Sequence, residues 1–117
     1  MLVPNSLLID IDGVLLSHPG TDENIFNDEQ FILPGVLEKL SEWRFLGHTI
    51  ILTSARPESM RDFTIKQLEK HKIIYNVLLM NLPHGRRYLL NDMKEFDKKT
   101  AIGISIPRDE GLINVSL

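Results

Sequence analysis

Short apolar runs that alternate with amphipathic segments dominate this sequence. Apolar runs of about four to eight residues, bounded by polar or turn-forming residues, are typical of buried strands. The amphipathic segments have apolar residues at helical spacing and begin near a proline, which suits the start of a helix. We predict strands at residues 6–11, 48–53, 75–80, 87–90 and 100–106, helices at residues 34–46 and 57–71, and a loop with a short hairpin at residues 17–28. Strands that alternate with helices predict an α/β fold, a three-layer Rossmann-like parallel sheet with helices on both faces.

The size and composition of the chain predict one domain, residues 1–117, and limit its partners. Hydrophobic residues make up 43% of the chain and charged residues 25%, as is usual in globular proteins. The net charge is −3 and no basic cluster exceeds a pair such as Arg86-Arg87, so we expect no nucleic-acid partner. A small phosphorylated ligand, which needs only one or two cations, remains compatible with this charge.

No segment predicts a thiol site, a signal peptide or a membrane span. The sequence contains no cysteine, which excludes disulfides, thiolate catalysis and cysteine-ligated zinc. The apolar stretch at residues 7–16 is interrupted by Asp10 and Asp12, so it matches neither a signal peptide nor a transmembrane helix. We therefore expect a cytoplasmic protein with no membrane partner.

Polar residues follow three of the predicted strands, at the point where each strand ends. Asp10 and Asp12 follow the first strand, Thr53 and Ser54 follow the second, and Asp92 follows the fourth. Ligands of parallel α/β sheets bind beyond the carboxyl ends of the strands. The sequence therefore predicts that these side chains converge in an active site.

The pair Asp10 and Asp12 is the strongest candidate within this set. Both side chains of an extended Asp-x-Asp segment point to one side, and Gly13 allows the backbone to turn closely after them. With Asp92 they would form an oxygen-rich pocket suited to Mg²⁺, which would also relieve their mutual repulsion. The alternative is that these acids only end strands or cap helices. Acids that follow buried apolar strands need a partner or a metal, which favours the Mg²⁺ site.

Several segments resemble motifs of the haloacid dehalogenase (HAD) superfamily. Residues 8–15, Leu-Ile-Asp-Ile-Asp-Gly-Val-Leu, are similar to its first motif, an apolar strand followed by Asp-x-Asp-Gly-Val/Thr. Residues 50–53 resemble the second motif, a strand that ends in Thr or Ser, and residues 89–92 resemble the fourth, a strand that ends in one or two acids. The segments 34–36 and 54–57 also recur in the family. The resemblance covers nearly the whole chain and implies a member without a cap domain, because no insertion is long enough for one.

The resemblance implies a Mg²⁺-dependent phosphatase acting on a small phosphorylated metabolite, with sugar phosphates among the candidates. Asp10 would be the nucleophile that forms an aspartyl-phosphate, and Asp12 would protonate the leaving group and later activate water. Mg²⁺ would be held by the Asp10 side chain, the Asp12 backbone carbonyl and Asp92. Thr53 would hydrogen-bond the phosphate, and Ser54 beside it is a further phosphate-binding candidate.

The third HAD motif is a lysine or arginine that neutralises the phosphate. In the region where it is expected, this sequence has no lysine between residues 72 and 94. Arg86 or Arg87 would take this role, since a guanidinium binds phosphate through two hydrogen bonds, and Arg56 is a further candidate. Asn91 stands where many members have a first acid, so metal binding would rest on Asp92. Of the four histidines, His18 and His84 fall near the predicted mouth of the site.

The sequence disfavours one alternative to a phosphatase and leaves a second one open. A receiver-type signalling domain would need a phosphorylated acid after the third strand, where Met80 and Asn81 offer none. A catalytically weak or inactive HAD-fold binding or regulatory module stays open because the third and fourth motifs depart from the family pattern. The physiological substrate and a homo-oligomeric state are also left open.

Overall fold

The structure is a computed structural model that describes residues 3–117, and its centre is a parallel sheet. Three strands form it in the order β1 (Ser6–Asp10), β2 (Thr49–Thr53) and β3 (Val77–Leu79). Both neighbouring pairs are parallel. The strands coincide with the first three predicted strands to within about two residues at either end. A small α/β fold with a parallel sheet is therefore confirmed.

Helices connect the strands. They are α1 (Asp22–Ile25), α2 (Val36–Phe45) and α3 (Arg61–Lys70), with a short 3₁₀ turn at Glu58–Met60 before α3. The longer two lie inside the predicted helical segments, and α2 packs against β2 through a buried apolar stripe at helical spacing. Within residues 3–117, no helix has both the length and the apolar character needed to cross a membrane.

The segment at residues 17–28 forms a loop that contains α1, and its only hairpin-like feature among the described residues is an antiparallel contact at its base, where Leu16 pairs with Ile32 and the Ser17 N–H donates to the Phe31 carbonyl at 2.9 Å. Asp22 and Glu23 occupy the first turn of α1, where negative charge favours a helix N-terminus. Ile25 is fully buried and anchors this turn to the core. The acidic first turn and the buried Ile25 therefore favour a short helix within this polar loop.

The predicted strands at residues 87–90 and 100–106 are also wrong in this structure, because both segments run without strand pairing. The prediction depended on apolar content, whereas a strand also needs a partner for its backbone hydrogen bonds. The apolar side chains of these segments face solvent: Tyr88 is 78% exposed, Leu90 88% and Ile102 77%. The sheet ends at β1, and the three-layer arrangement stays a prediction.

The hydrophobic core lies around β1, β2 and the loop that follows β1. It draws apolar side chains from that loop, from α2 and α3, and from the C-terminal segment. The fully buried members are Ile11, Leu15, Leu16, Ile25, Val36, Leu40, Ile50, Leu52 and Leu68. Because the loop after β1 contributes several of them, the residues that follow Asp10 are held by core packing.

The C-terminal segment returns to the centre of the molecule and holds two loops. The Asp109 N–H donates to the Gly13 carbonyl at 2.9 Å, and the Leu112 N–H donates to the Pro34 carbonyl at 2.9 Å. The Leu112 side chain is buried in the core. The segment therefore fixes both the turn after β1 and the chain that enters α2.

Candidate active site

The parallel register places Asp10 and Thr53 side by side at the carboxyl end of the sheet. Asp10 at the end of β1 is opposite Thr53 in β2, and Thr53 is opposite Leu79 in β3. Thr53 is buried, whereas Asp10 is exposed at the open edge of β1. The structure thus brings together the polar residues that follow the first two strands.

A tight turn after β1 carries Asp12 to the same place. The Gly13 N–H donates to the Leu16 carbonyl at 2.7 Å, and Gly13 has a φ of 90°. A residue with a Cβ adopts this φ only at a cost, which explains the glycine directly after the acids. Asp10 and Asp12 both line the cleft at this end of the sheet.

The surroundings of Asp10 disfavour its negative charge. Although Asp10 is exposed at the edge of β1, partial desolvation of its carboxyl raises the pKa above its usual value, and the negative charge of Asp12 adds to this. A hydrogen bond from the Ile11 N–H at 3.1 Å and the charges of Arg87 and His18 act in the opposite direction without cancelling the rise in pKa. A bound cation would therefore favour the ionised form of Asp10.

Thr53 and Ser54 have different environments although they are adjacent. Thr53 lines the cleft. Ser54 is 2% exposed, its hydroxyl accepts the Arg56 N–H at 3.0 Å, and its own N–H donates to the Leu79 carbonyl at 2.9 Å. Thr53 is buried and borders the cleft, whereas Ser54 shapes the turn after β2, so the phosphate contact predicted for Ser54 gains no support.

Arg56 lies beneath the acids with 1% of its side chain exposed. Its Nε and Nη2 groups donate to the two carboxylate oxygens of Asp12, at 3.0 and 2.7 Å. The remaining N–H groups donate to side-chain oxygens of Gln30, Thr64 and Gln67. All of its N–H groups therefore have acceptors inside the protein, and this arrangement does not favour the phosphate contact predicted for Arg56.

Arg86 and Arg87 line the cleft from an exposed turn. The Arg87 Nη1 group donates to the carbonyls of Pro83 and Gly85 at 2.8 and 2.9 Å, which folds the side chain back over its own turn. The charge of Arg87 still acts on Asp10 and lowers its pKa. Of the two predicted phosphate cations on this turn, Arg87 is thus the one whose charge reaches the candidate nucleophile.

Asp92 is engaged in a separate turn. Its Oδ1 accepts the Lys94 N–H at 3.1 Å, and its backbone carbonyl accepts the Thr100 hydroxyl. In the part of the chain that the structure describes, no group of three or more His, Cys, Asp or Glu side chains is placed to hold a metal ion. The structure therefore brings together the two acids that follow β1 but does not add the third predicted metal ligand to them.

The two acids open on a cleft with a volume of about 1140 Å³. Leu8 and Ile9 of β1 line it together with residues 82–89 and 102–106. Small-molecule pockets usually have volumes of about 300–1,000 Å³. The cleft is therefore large enough for a phosphorylated metabolite and also for a larger phosphate ester.

Sequence reasoning missed three buried polar residues next to the acids. Thr64 is fully buried, Gln67 is 2% exposed and Gln30 is 7% exposed. Gln67 falls on the apolar side of the predicted helix at residues 57–71, and a polar residue in such a stripe signals a buried hydrogen-bond partner. Gln30 lies in a loop, where no periodicity marks it.

No protein-family model matches the chain, and no curated protein matches it. Among solved structures, it is similar to a chain of the Pnkp1/Rnl/Hen1 complex, with 27% sequence identity and a TM-score of 0.60 over 74% of this chain. It is also similar to a target protein from Vibrio cholerae, with 22% identity and a TM-score of 0.53, over 73% of this chain and 78% of that one. The chain spans 30% of the length of the first of these proteins. These likenesses are consistent with the small α/β fold.

Proposed function

We propose that this protein is a capless phosphatase of the HAD superfamily that hydrolyses a small phosphorylated metabolite through an aspartyl-phosphate on Asp10. The observation that carries the proposal is the position of Asp10, Asp12 and Thr53, at the carboxyl ends of two neighbouring parallel strands and open to one cleft. Ligands of parallel α/β sheets bind at such ends. The agreement of these positions with the first and second HAD motifs supports the proposal.

The reaction needs one nucleophile and one group that first gives and then takes a proton. An Asp10 carboxylate oxygen attacks phosphorus while the bond from phosphorus to the leaving oxygen breaks, and Asp12 gives that oxygen a proton. Water then attacks the aspartyl-phosphate, Asp12 takes the proton from the water, and the bond from phosphorus to Asp10 breaks. Inorganic phosphate leaves and both acids return to their initial states.

Two further groups would bind the phosphate during these steps. Thr53 is opposite Asp10 in the sheet and lines the cleft, and its hydroxyl would hydrogen-bond a phosphate oxygen. The Arg87 guanidinium lies close enough to lower the pKa of Asp10 and would balance part of the phosphate charge. Arg86 lines the same cleft and is the second candidate for this role.

The acids after β1 fit a Mg²⁺ ion in part. The Asp10 carboxylate and the Asp12 backbone carbonyl are hard oxygen donors of the kind that Mg²⁺ prefers. The raised pKa of Asp10 is the sign of a site where a cation would stabilise the ionised carboxylate. When bound, the ion would supply charge stabilisation for the phosphate oxygens.

The proposal includes the three-layer HAD arrangement for the liganded protein, in which residues 87–90, unpaired in this structure, would join the outer edge of β1. Leu8 on that edge is 51% exposed, Leu89 is 56% exposed, and both line the same cleft. Pairing of these segments would bury both side chains. Because Asp92 follows this segment, pairing would also carry it toward the carboxyl end of the sheet and Asp10.

A catalytically weak or inactive HAD-fold binding or regulatory module is the second candidate function. The separate turn that holds Asp92 favours it, since among residues 3–117 no third acid joins Asp10 and Asp12. Such a module would bind a phosphorylated ligand in the cleft without turning it over.

Hydrolysis assays separate the two candidates. We would incubate the protein with p-nitrophenyl phosphate and a panel of sugar phosphates, with Mg²⁺ or with EDTA, and compare wild type with Asp10→Asn. The phosphatase predicts Mg²⁺-dependent phosphate release that Asp10→Asn abolishes and that the exposed-site control Asp97→Asn retains. Ligand binding without release of phosphate, in folded protein, would favour the binding module.

A further inference from the structure

The Arg56 guanidinium is fully engaged below the cleft. A guanidinium carries five N–H donors, and in Arg56 each has an acceptor. These acceptors are Asp12 Oδ2 at 3.0 Å for Nε, Thr64 Oγ1 at 3.0 Å and Gln67 Oε1 at 2.9 Å for Nη1, and Asp12 Oδ1 at 2.7 Å and Gln30 Oε1 at 3.2 Å for Nη2. A phosphate contact by Arg56 would leave at least one buried oxygen without its donor.

Asp12 is held by this guanidinium in one orientation. Its two carboxylate oxygens meet Nε and Nη2 of Arg56 in a two-point fork, a geometry that fixes the plane of the carboxylate. Gln30 Nε2 adds a third donor to Oδ1 at 2.7 Å. The Asp12 side chain remains 19% exposed at the wall of the cleft.

The groups that hold Arg56 are themselves fixed from several parts of the chain. Gln30 Nε2 also donates to the Ser17 carbonyl at 2.8 Å. Gln67 Nε2 donates to Gln30 Oε1 at 3.1 Å and to Asp28 Oδ1 at 3.3 Å. The position of the guanidinium is therefore set by α3, the loop before α2 and the turn after β2 together, and not by the arginine side chain alone.

We infer that Arg56 is the positioning residue for Asp12, fixing the carboxylate where it gives and takes the proton of the proposed reaction. The inference rests on the proposed function. A buried arginine needs a carboxylate partner, and the partner of Arg56 is the acid that lines the cleft beside Asp10. Asp28 lies in the same hydrogen-bond network but is paired with Lys70 at 2.9 Å, whereas Arg56 takes the acid at the cleft wall.

The substitution Arg56→Lys tests this role, because lysine keeps the charge and loses the fork. An alkyl phosphate, whose leaving oxygen needs a proton, and p-nitrophenyl phosphate, whose leaving group departs readily without one, are compared under steady-state conditions. We expect kcat on the alkyl phosphate to fall about 10-fold or more, with a smaller loss on p-nitrophenyl phosphate. We expect KM to stay within about two-fold, because a positioning role does not bind the phosphate.

Two other variants guard against misreading a loss of fold. Arg61→Lys, which breaks an exposed fork to Glu58, is the matched control and should leave both substrates unaffected. Gln30→Met removes one donor from Asp12 and one acceptor from Arg56, and should show the same preference for the better leaving group to a smaller extent. If Arg56→Lys does not fold, Gln30→Met tests the positioning role in its place.

The outcomes separate this inference from the proposed function. A raised KM with unchanged kcat in Arg56→Lys, or equal losses on the two substrates, would overturn the positioning role while the Asp10-dependent phosphatase stands. If wild-type protein releases no phosphate, or if the release does not depend on Asp10, both the positioning role and the proposed phosphatase are overturned.

Discussion

At the scale of single residues, the fold disfavours the negative charge of Asp10. Burial raises the pKa of the Asp10 carboxyl, and Asp12 next to it adds negative charge. The folded protein therefore binds the Asp10 proton more readily than the unfolded chain does. By linkage, the stabilising contribution of this proton is present below the usual aspartate pKa and is lost as the pH rises through the raised pKa of the folded state.

We predict that Asp10→Asn makes the protein more stable at pH 7 while it removes the proposed activity. Asparagine carries no charge to desolvate, and its side-chain oxygen still accepts the Ile11 N–H. Thermal unfolding should show a higher Tm for Asp10→Asn than for wild type at pH 7, and the gap should close below about pH 4. The exposed-site control Asp97→Asn should show no such gap. A lower Tm for Asp10→Asn at pH 7 would contradict the origin assigned to the raised pKa.

His71 predicts a second pH dependence, with the opposite sign for stability and in a different pH range. Burial, and to a lesser degree the charge of Lys70, lower the pKa of His71, and its Nε2 is buried with no hydrogen-bond partner among the described residues. The unfolded chain thus binds this proton more readily, so the free energy of unfolding should fall as the pH drops below about 6.5. Denaturant titrations between pH 5 and 8 should show this loss in wild type and a smaller loss in His71→Gln. His84→Gln, an exposed control, should behave as wild type does.

At the scale of secondary-structure elements, two glycines join the C-terminal segment to the start of α2. Gly35 precedes α2 with a φ of 75°, and a Cβ there would lie 2.5 Å from the Ile113 Cα. Gly111 has a φ of 80°, and its Cβ would overlap the Pro34 carbonyl. The two backbones approach so closely that neither position has space for a side chain.

We predict that Gly35→Ala and Gly111→Ala each lower the free energy of unfolding by about 2–4 kcal/mol, from left-handed strain of about 1–2 kcal/mol and overpacking. Gly47→Ala separates the two effects, because Gly47 has a φ of 88° but space for a Cβ, with the nearest atom 3.6 Å away. It should lose only about 1–2 kcal/mol. Denaturant unfolding measures all three, and equal losses would show that the close backbone contact is absent.

The elements that could be predicted from the sequence are those with a local pattern. β1, β2, α2 and α3 follow from apolar runs and helical spacing, and the acids at the end of β1 follow from the Asp-x-Asp-Gly run. The segments at 87–90 and 100–106 have a similar apolar content. Whether a strand forms there depends on a free strand edge elsewhere in the chain, and the sequence of the segment itself does not indicate one.

Contacts between distant parts of the chain escaped prediction for the same reason. Arg56 and Asp12 are 44 residues apart, and Asp109 bonds the His18 N–H across 91 residues. Arg56 was therefore predicted as a phosphate ligand from its place after β2, while its partners in the loop before α2 and on α3 gave little or no local signal. The position of an acid after a strand is local information, but the group that orients it is not.

On the scale of the whole molecule, apolar side chains that line the cleft stay exposed in the part of the chain that the structure describes. Leu8 on the outer edge of β1 is 51% exposed, and Leu89 and Ile104, which line the same cleft, are 56% and 52% exposed. Burial of apolar area contributes roughly 25 cal/mol per Å², so contact between these side chains would be favourable once the charges at the carboxyl end are balanced. A phosphate mimic and Mg²⁺ at Asp10 would supply that balance.

We predict that Mg²⁺ together with beryllofluoride, which mimics a phosphoryl group on an aspartate, slows amide hydrogen exchange at residues 87–90. Among the described residues, the N–H groups of this segment have no backbone acceptor, so in free protein they should exchange far faster than those of β2. Pairing with the edge of β1 would give them acceptors and bring Asp92 toward Asp10. Asp10→Asn, which cannot hold the mimic, should keep the fast exchange. Slow exchange in the free protein would mean that the fourth strand already lies on β1. Unchanged fast exchange in wild type that has demonstrably bound the mimic would show that the site works without Asp92.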